Sequence, residues 1–176
     1  MKRQWMMIAL VVGGIGLGAW GLTRFAPAPE GADLGRRAPD YRVLALATGD
    51  SVGIRSAYDG YVTLVNIWAT WCAPCRAEMP SMERVYLDYR DRGFRIAAVS
   101  VDAGGPAKIH EFAEEFGLSF DLLHDASGGI QQAYRTIGVP QSFLLDRDGT
   151  IAWVALGEER WDSAEHRERI ERLLGD

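Results

Sequence analysis

Cys72 and Cys75 are the only cysteines in the chain, and they lie in the run Trp68-Ala69-Thr70-Trp71-Cys72-Ala73-Pro74-Cys75. The spacing is C-x-x-C. In thiol–disulfide exchange a thiolate attacks, and a second thiol one helical turn away can resolve the mixed disulfide. A helix N-terminus suits the attacking thiolate, because free N–H groups and the helix dipole stabilise it. Cys72 falls where a strand-like run ends and a helix-like run begins. It is therefore the expected attacking cysteine, with Cys75 as the resolving one. Pro74 suits the first helical turn, where the N–H it lacks costs little. Trp71, Ala73 and Pro74 flank the pair and are the expected docking surface. Other uses of two thiols are a structural disulfide or half of a metal site. Haem attachment of the c type needs His directly after the second cysteine, where Arg76 stands. Zinc needs two more ligands, and His110, His124 and His166 are scattered. No metal and no cofactor beyond a redox-active Cys72–Cys75 disulfide is expected. His110 and His124 read as surface residues.

The flanking elements position that pair. Val62–Trp68 is a near-continuous β-prone run, as for a strand buried on both faces. Ala73–Arg92 follows as a helix carrying Met79, Met82, Val85, Tyr86 and Tyr89 at spacings of three or four, with Pro80 expected to bend or restart it. Before them, Tyr41–Leu46 and Val52–Ile54 read as a small hairpin around Gly49-Asp50. After them come a strand at Phe94–Val101, a helix at Pro106–Phe116 and a short strand at Phe120–Leu123. A helix at Gly129–Ile137 ending at Gly138 is next, then two strands, Gln141–Leu145 and Thr150–Leu156, joined by Asp146-Arg147-Asp148-Gly149. Ser163–Leu174 is a charged C-terminal helix, and the mixed charges of 158–172 read as a solvated face. Parallel βαβ units followed by an antiparallel hairpin predict one α/β sheet covered by helices.

The N-terminus reads differently. Residues 5–22 carry no charge, and a helix of that length spans roughly 27 Å, close to a hydrocarbon core of about 30 Å. Lys2 and Arg3 precede it, and Trp5 and Trp20 lie near its ends, as in a single-pass signal-anchor with a cytoplasmic N-terminus. A cleaved signal peptide is the competing reading, with Ala26-Pro27-Ala28 as its cleavage site and Pro29 hindering the cut. Either way the rest of the chain is exported. The expected organisation is a stub and anchor at 1–24, a flexible tether at 25–37 and a folded domain at 38–176. The catalytic domain is then expected outside the cytoplasmic membrane. The 176 residues are 48% apolar with a net charge of −5. The three charges of residues 1–24 are positive, so the remainder is more acidic still. That balance argues against nucleic acid as a partner, since duplex binding depends on Lys and Arg.

VNIWATWCAPCRAEMP at 65–80, with Ala38-Pro39-Asp40, Gly138-Val139-Pro140 and Asp148-Gly149, resembles the thioredoxin-like superfamily. The resemblance is strongest to its membrane-anchored TlpA/ResA branch. It implies a thioredoxin fold, a central mixed sheet flanked by helices, with an N-terminal β-hairpin and an inserted αβ element at roughly 104–123. It implies a cis Val139-Pro140 peptide facing the cysteines, which adds Pro140 to the catalytic residues and Val139 to the docking surface. General thioredoxins carry a buried Asp six residues before the first cysteine, where this chain has Asn66. Some members of the branch instead carry a Glu three residues after the second cysteine, where this chain has Glu78. A partly buried Glu78 could shuttle the proton that Cys75 must lose or gain; an ordinary solvated helix residue is the alternative.

The implied activity is a membrane-tethered thiol–disulfide oxidoreductase that reduces disulfides of exported proteins. The branch implies apocytochromes c or copper-assembly factors as partners, with a membrane thiol donor for re-reduction. A disulfide-forming oxidant and a copper chaperone using the same thiolates are the alternatives. Related copper-assembly proteins use C-x-x-x-C plus a distant His, against the spacing of two here. A peroxidase would need a Pro/Thr-rich loop around its cysteine, unlike Trp71-Cys72.

Overall fold

The computed structural model describes residues 4, 5, 7, 12–14 and 32–175. The chain divides into two compact units, 1–30 and 31–176. The described residues of the first unit are helical. Among the described residues no helix is long and apolar enough to cross a membrane. Most of the expected span over 5–22 and most of the expected tether lie outside them.

In the second unit the described strands are β1 (Arg42–Ala45), β2 (Ser51–Gly53), β3 (Val62–Trp68), β4 (Phe94–Ser100), β5 (Asp121–His124), β6 (Gln141–Leu145) and β7 (Ile151–Leu156). They form one seven-stranded mixed sheet in the order β2-β1-β5-β4-β3-β6-β7. The helices are α1 (Ala73–Tyr89), α2 (Ala107–Phe116), α3 (Gly129–Ala133) and α4 (Ala164–Leu174). β3 runs parallel to β4 and antiparallel to β6, and all seven of its residues are buried. A strand paired on both edges and covered on both faces needs apolar side chains throughout, which explains its unbroken β-prone run.

The alternation of β3 divides the core. Leu64 and Trp68 join Met79, Met82 and Val85 of α1, Ile109 and Phe112 of α2, Trp161, and Ile170 of α4. Val65 and Ile67 join Val43, Val99, Ile130, Tyr134 and Phe143. Burial of each such side chain contributes roughly 1.5–3 kcal/mol relative to exposure. α1 thus docks on the sheet through the Met79–Met82–Val85 stripe, and this sets where its N-terminus points.

Three expectations need correction. α1 runs through Pro80 as one helix, so Pro80 does not restart it. α3 ends at Ala133 rather than at Gly138: the buried Tyr134 hydroxyl donates to the Pro39 carbonyl at 2.9 Å, and Arg135 turns the chain at φ 52°. Residues 158–172 are not all a solvated face, since Trp161, His166 and Ile170 are buried. The expected inserted element is α2 with β5. β5 pairs in parallel with β4 and antiparallel with β1, so the hairpin of β1 and β2 hangs on it.

Candidate active site

β3 ends at Trp68, and the chain turns through Ala69-Thr70-Trp71 to reach Cys72. The Cys72 N–H donates to the Ala69 carbonyl at 3.2 Å, closing that turn. Cys72 is extended (φ −83°, ψ 106°) and caps α1: its Sγ accepts from the Cys75 N–H at 3.2 Å. A helix cap normally offers an oxygen to these orphan donors; here a sulfur does so. Pro74 fills the first turn. The two cysteines form a disulfide with Cα atoms 5.2 Å apart. Cys75 is fully buried, whereas Cys72 keeps 4% exposure and is flanked by exposed Trp71 (69%), Ala73 and Pro74. The pair is asymmetric: both cysteines are buried, and only Cys72 keeps any exposure.

The Val139-Pro140 peptide is cis. It directly precedes β6, whose Gln141 pairs with Ile67, so Pro140 sits at the sheet end from which the Cys72 turn emerges. Half-buried Val139 packs against the apolar cluster that includes both cysteines. The Pro140 carbonyl accepts from the Gly157 N–H at 2.9 Å, tying this peptide to the end of β7.

Glu78 lies one helical turn beyond Cys75 and is 1% exposed, so it is not a solvated helix residue. Its Oε1 accepts from Asn66 Nδ2 at 2.8 Å. Its Oε2 accepts from the Glu159 N–H at 3.2 Å and from Trp161 Nε1 at 3.3 Å. Burial raises its carboxyl from the ordinary value to about 7, and the Asn66, Glu159 and Trp161 donors oppose that rise only in part. Asn66 Nδ2 also donates to Ser142 Oγ at 2.8 Å, while Asn66 Oδ1 is buried without a partner. Ser81 Oγ accepts from the Trp161 N–H at 3.1 Å, which fastens the segment after β7 over Glu78.

The structure thus brings Cys72, Cys75, Glu78, Val139 and Pro140 to one end of the sheet. Sequence reasoning did not find Ser142, Glu159 or Trp161 as neighbours of Glu78. It also misplaced His124, which is buried, with Nε2 2.9 Å from the Asp102 carbonyl oxygen. None of these contacts has a local signature, because each joins residues far apart in the chain.

A family model described as AhpC/TSA matches residues 34–154. The chain is 32% identical to the thiol-disulfide oxidoreductase ResA of Oceanobacillus iheyensis over 145 residues, 81% of this chain and 72% of that protein. It is 30% identical to ResA of Bacillus thuringiensis subsp. konkukian over 168 residues, 94% and 95% of the two chains. Among solved structures it is similar to a Chlorobium tepidum protein provisionally assigned as the thiol:disulfide interchange protein DsbE. That likeness has a TM-score of 0.74 and 30% identity, over 81% of this chain and 99% of the other. The chain belongs to the AhpC/TSA family, and with its Cys72–Cys75 pair it is a thioredoxin-like thiol–disulfide oxidoreductase.

Proposed function

We propose that the Cys72–Cys75 dithiol reduces disulfides in exported partner proteins while the domain is held at the outer face of the cytoplasmic membrane. The observation that carries this reading is the asymmetry of the pair: Cys72, which caps α1 through Sγ, keeps 4% exposure beside exposed Trp71, and Cys75 one turn on is fully buried. Reduced Cys72, as thiolate, attacks one sulfur of a partner disulfide. A mixed disulfide forms and the partner's other sulfur leaves as a thiolate. Cys75 gives its proton to the Glu78 carboxylate and attacks Cys72 Sγ. The intramolecular disulfide closes, and the second partner sulfur departs. Two electrons pass to the partner, whose thiolates take up two protons. A carboxyl poised at about 7 can accept and return the Cys75 proton near neutral pH. The closed disulfide is the oxidised end of that cycle.

The uncharged run at 5–22 behind Lys2 and Arg3 supports a single-pass anchor. The similarity to ResA supports thiol–disulfide exchange, and apocytochrome c or copper-assembly factors as the substrate class rest on the resemblance to the TlpA/ResA branch alone. A membrane thiol donor then re-reduces the pair, because the outer compartment is kept oxidising. Cis Pro140 with Val139, and exposed Trp71, Ala73 and Pro74, form the surface against which the partner's disulfide lies.

The direction of electron flow is tested by equilibrating the pair with dithiothreitol or glutathione redox buffers. A reductant should have a midpoint near that of thioredoxin, about −270 mV, whereas a value well above about −150 mV would make it an oxidant. Trp71→Ala should raise KM for a disulfide-bonded protein substrate roughly five- to tenfold, as loss of an exposed aromatic anchor does. It should leave the reduction of a small aromatic disulfide nearly unchanged. Equal losses toward both substrates would remove Trp71 from the docking surface.

A further inference from the structure

Asp102 lies just beyond β4 and is buried. Its carboxylate accepts three neutral donors. The Thr70 N–H reaches Oδ2 at 2.9 Å, the Thr70 hydroxyl reaches Oδ1 at 2.7 Å, and the Ser100 hydroxyl reaches Oδ2 at 2.7 Å. The Asp102 N–H in turn donates to Ser100 Oγ at 3.1 Å, and its carbonyl meets His124 Nε2 at 2.9 Å. β4 and β5 therefore anchor Asp102 through Ser100 and His124, and Asp102 grips Thr70 at two points. Thr70 is the second residue of the turn that Cys72 N–H and Ala69 O close.

We propose that Asp102, acting through Thr70, is the positioning residue for Cys72. Burying a carboxylate costs more than burying an amide or hydroxyl, even where donors compensate it. What the charge supplies here is two strong acceptor oxygens, held at once against the N–H and the hydroxyl of one residue. That two-point grip fixes the rotation of the Thr70 peptide. The rotation determines where Trp71 and Cys72 follow, and so whether Cys72 Sγ faces the Cys75 N–H. A cap bond to sulfur is direction-dependent, and a loosened turn loses the donor that stabilises the thiolate.

This rests on the reading of Cys72 as the attacking thiol. The test is alkylation of the reduced, full-length protein by iodoacetamide at pH 7, with the labelled cysteine identified by mass spectrometry at short times. In the parent, Cys72 should label first. Thr70→Val, which keeps the N–H and removes the hydroxyl, should slow that labelling about fivefold, the factor one hydrogen bond is worth. Thr70→Ser should restore the parent rate to within about twofold. Asp102→Ala should be at least as slow as Thr70→Val; if it fails to fold, the Thr70 pair still decides. Denaturation midpoints are taken alongside. Parent-like labelling in Thr70→Val with only a lowered midpoint would make the clamp purely structural and overturn the proposal. Thr70→Ser as slow as Thr70→Val would overturn it as well. Labelling of Cys75 before Cys72 in the parent would instead overturn the assignment of the attacking thiol, and the proposal with it.

Discussion

Cys75→Ser converts the enzyme into a covalent trap. Cys72 still attacks a partner disulfide, because its helix cap comes from backbone donors that the substitution leaves in place. With no second thiol one turn below, the mixed disulfide persists. A partner of discrete mass should therefore migrate with the variant on a non-reducing gel and separate from it under reduction. Cys72→Ser should capture nothing and lose turnover on the order of a thousandfold or more, as removal of a covalent nucleophile does in other enzymes. A hydroxyl at this place is not ionised at neutral pH and has no sulfur with which to exchange. Full turnover by Cys75→Ser would refute the two-cysteine cycle. The identity of the captured protein, read by mass spectrometry, would decide between apocytochrome c, a copper-assembly factor and any other disulfide-bonded protein.

Glu78→Gln has the second large effect, and it appears in the pH dependence of stability. In the unfolded chain this carboxyl ionises near the ordinary glutamate value; in the folded protein burial moves it up to about 7. Below about pH 4.5 it is protonated in both states and stability is unaffected. Between about 4.5 and 7 only the unfolded state loses its proton, so folding stability declines with rising pH, and above about 7 the loss levels off. The decline is on the order of 3 kcal/mol. Denaturant titrations of the oxidised protein from pH 4 to 8 should show it as the difference between parent and Glu78→Gln. Parallel profiles would mean that Glu78 is not buried as a titrating acid. The site can accommodate the glutamine. Its carbonyl can accept the Glu159 and Trp161 donors, while its amide faces Asn66, whose Oδ1 is otherwise without a partner. A half-turn of the Asn66 amide then supplies the acceptor, and the Ser142 hydroxyl can donate to the same oxygen. The same adjustment suits the protonated form of Glu78, which explains how one buried residue tolerates both states. In turnover, the variant should accumulate mixed disulfide with Cys75 intact, because the resolving thiol has lost its proton acceptor.

The order of strands and helices was legible because burial imposes a pattern on each. β3 is apolar throughout because both its faces are covered, and Met79, Met82 and Val85 recur at helical spacing because one side of α1 meets the sheet. The cysteines were legible from their spacing at a strand-to-helix junction, and Glu78 through the family resemblance. The cis Val139-Pro140 peptide was expected only through the family resemblance. Tertiary polar contacts were not legible. Glu78 is satisfied by Trp161 and Glu159, and Thr70 by Asp102, and no local rule joins residues so far apart. His124 and His166 misled for the same reason: a polar residue reads as exposed until its partner is seen, Asp102 O for the first and Glu159 for the second. α3 was overextended because helical propensity does not register that Tyr134 is pulled inward toward Pro39.

The placement of β5 bears on the order in which the domain assembles. β1 emerges from the ribosome long before its neighbour, yet Leu44 pairs with His124 and Ala45 with Leu123. Until the chain has passed β5, residues 42–53 form a two-stranded ribbon with no sheet edge to join, and such ribbons are marginal in water. The first strands to be synthesised are therefore among the last to dock, and a nascent chain interrupted before residue 121 would present them as an unpaired edge, open to association with other chains.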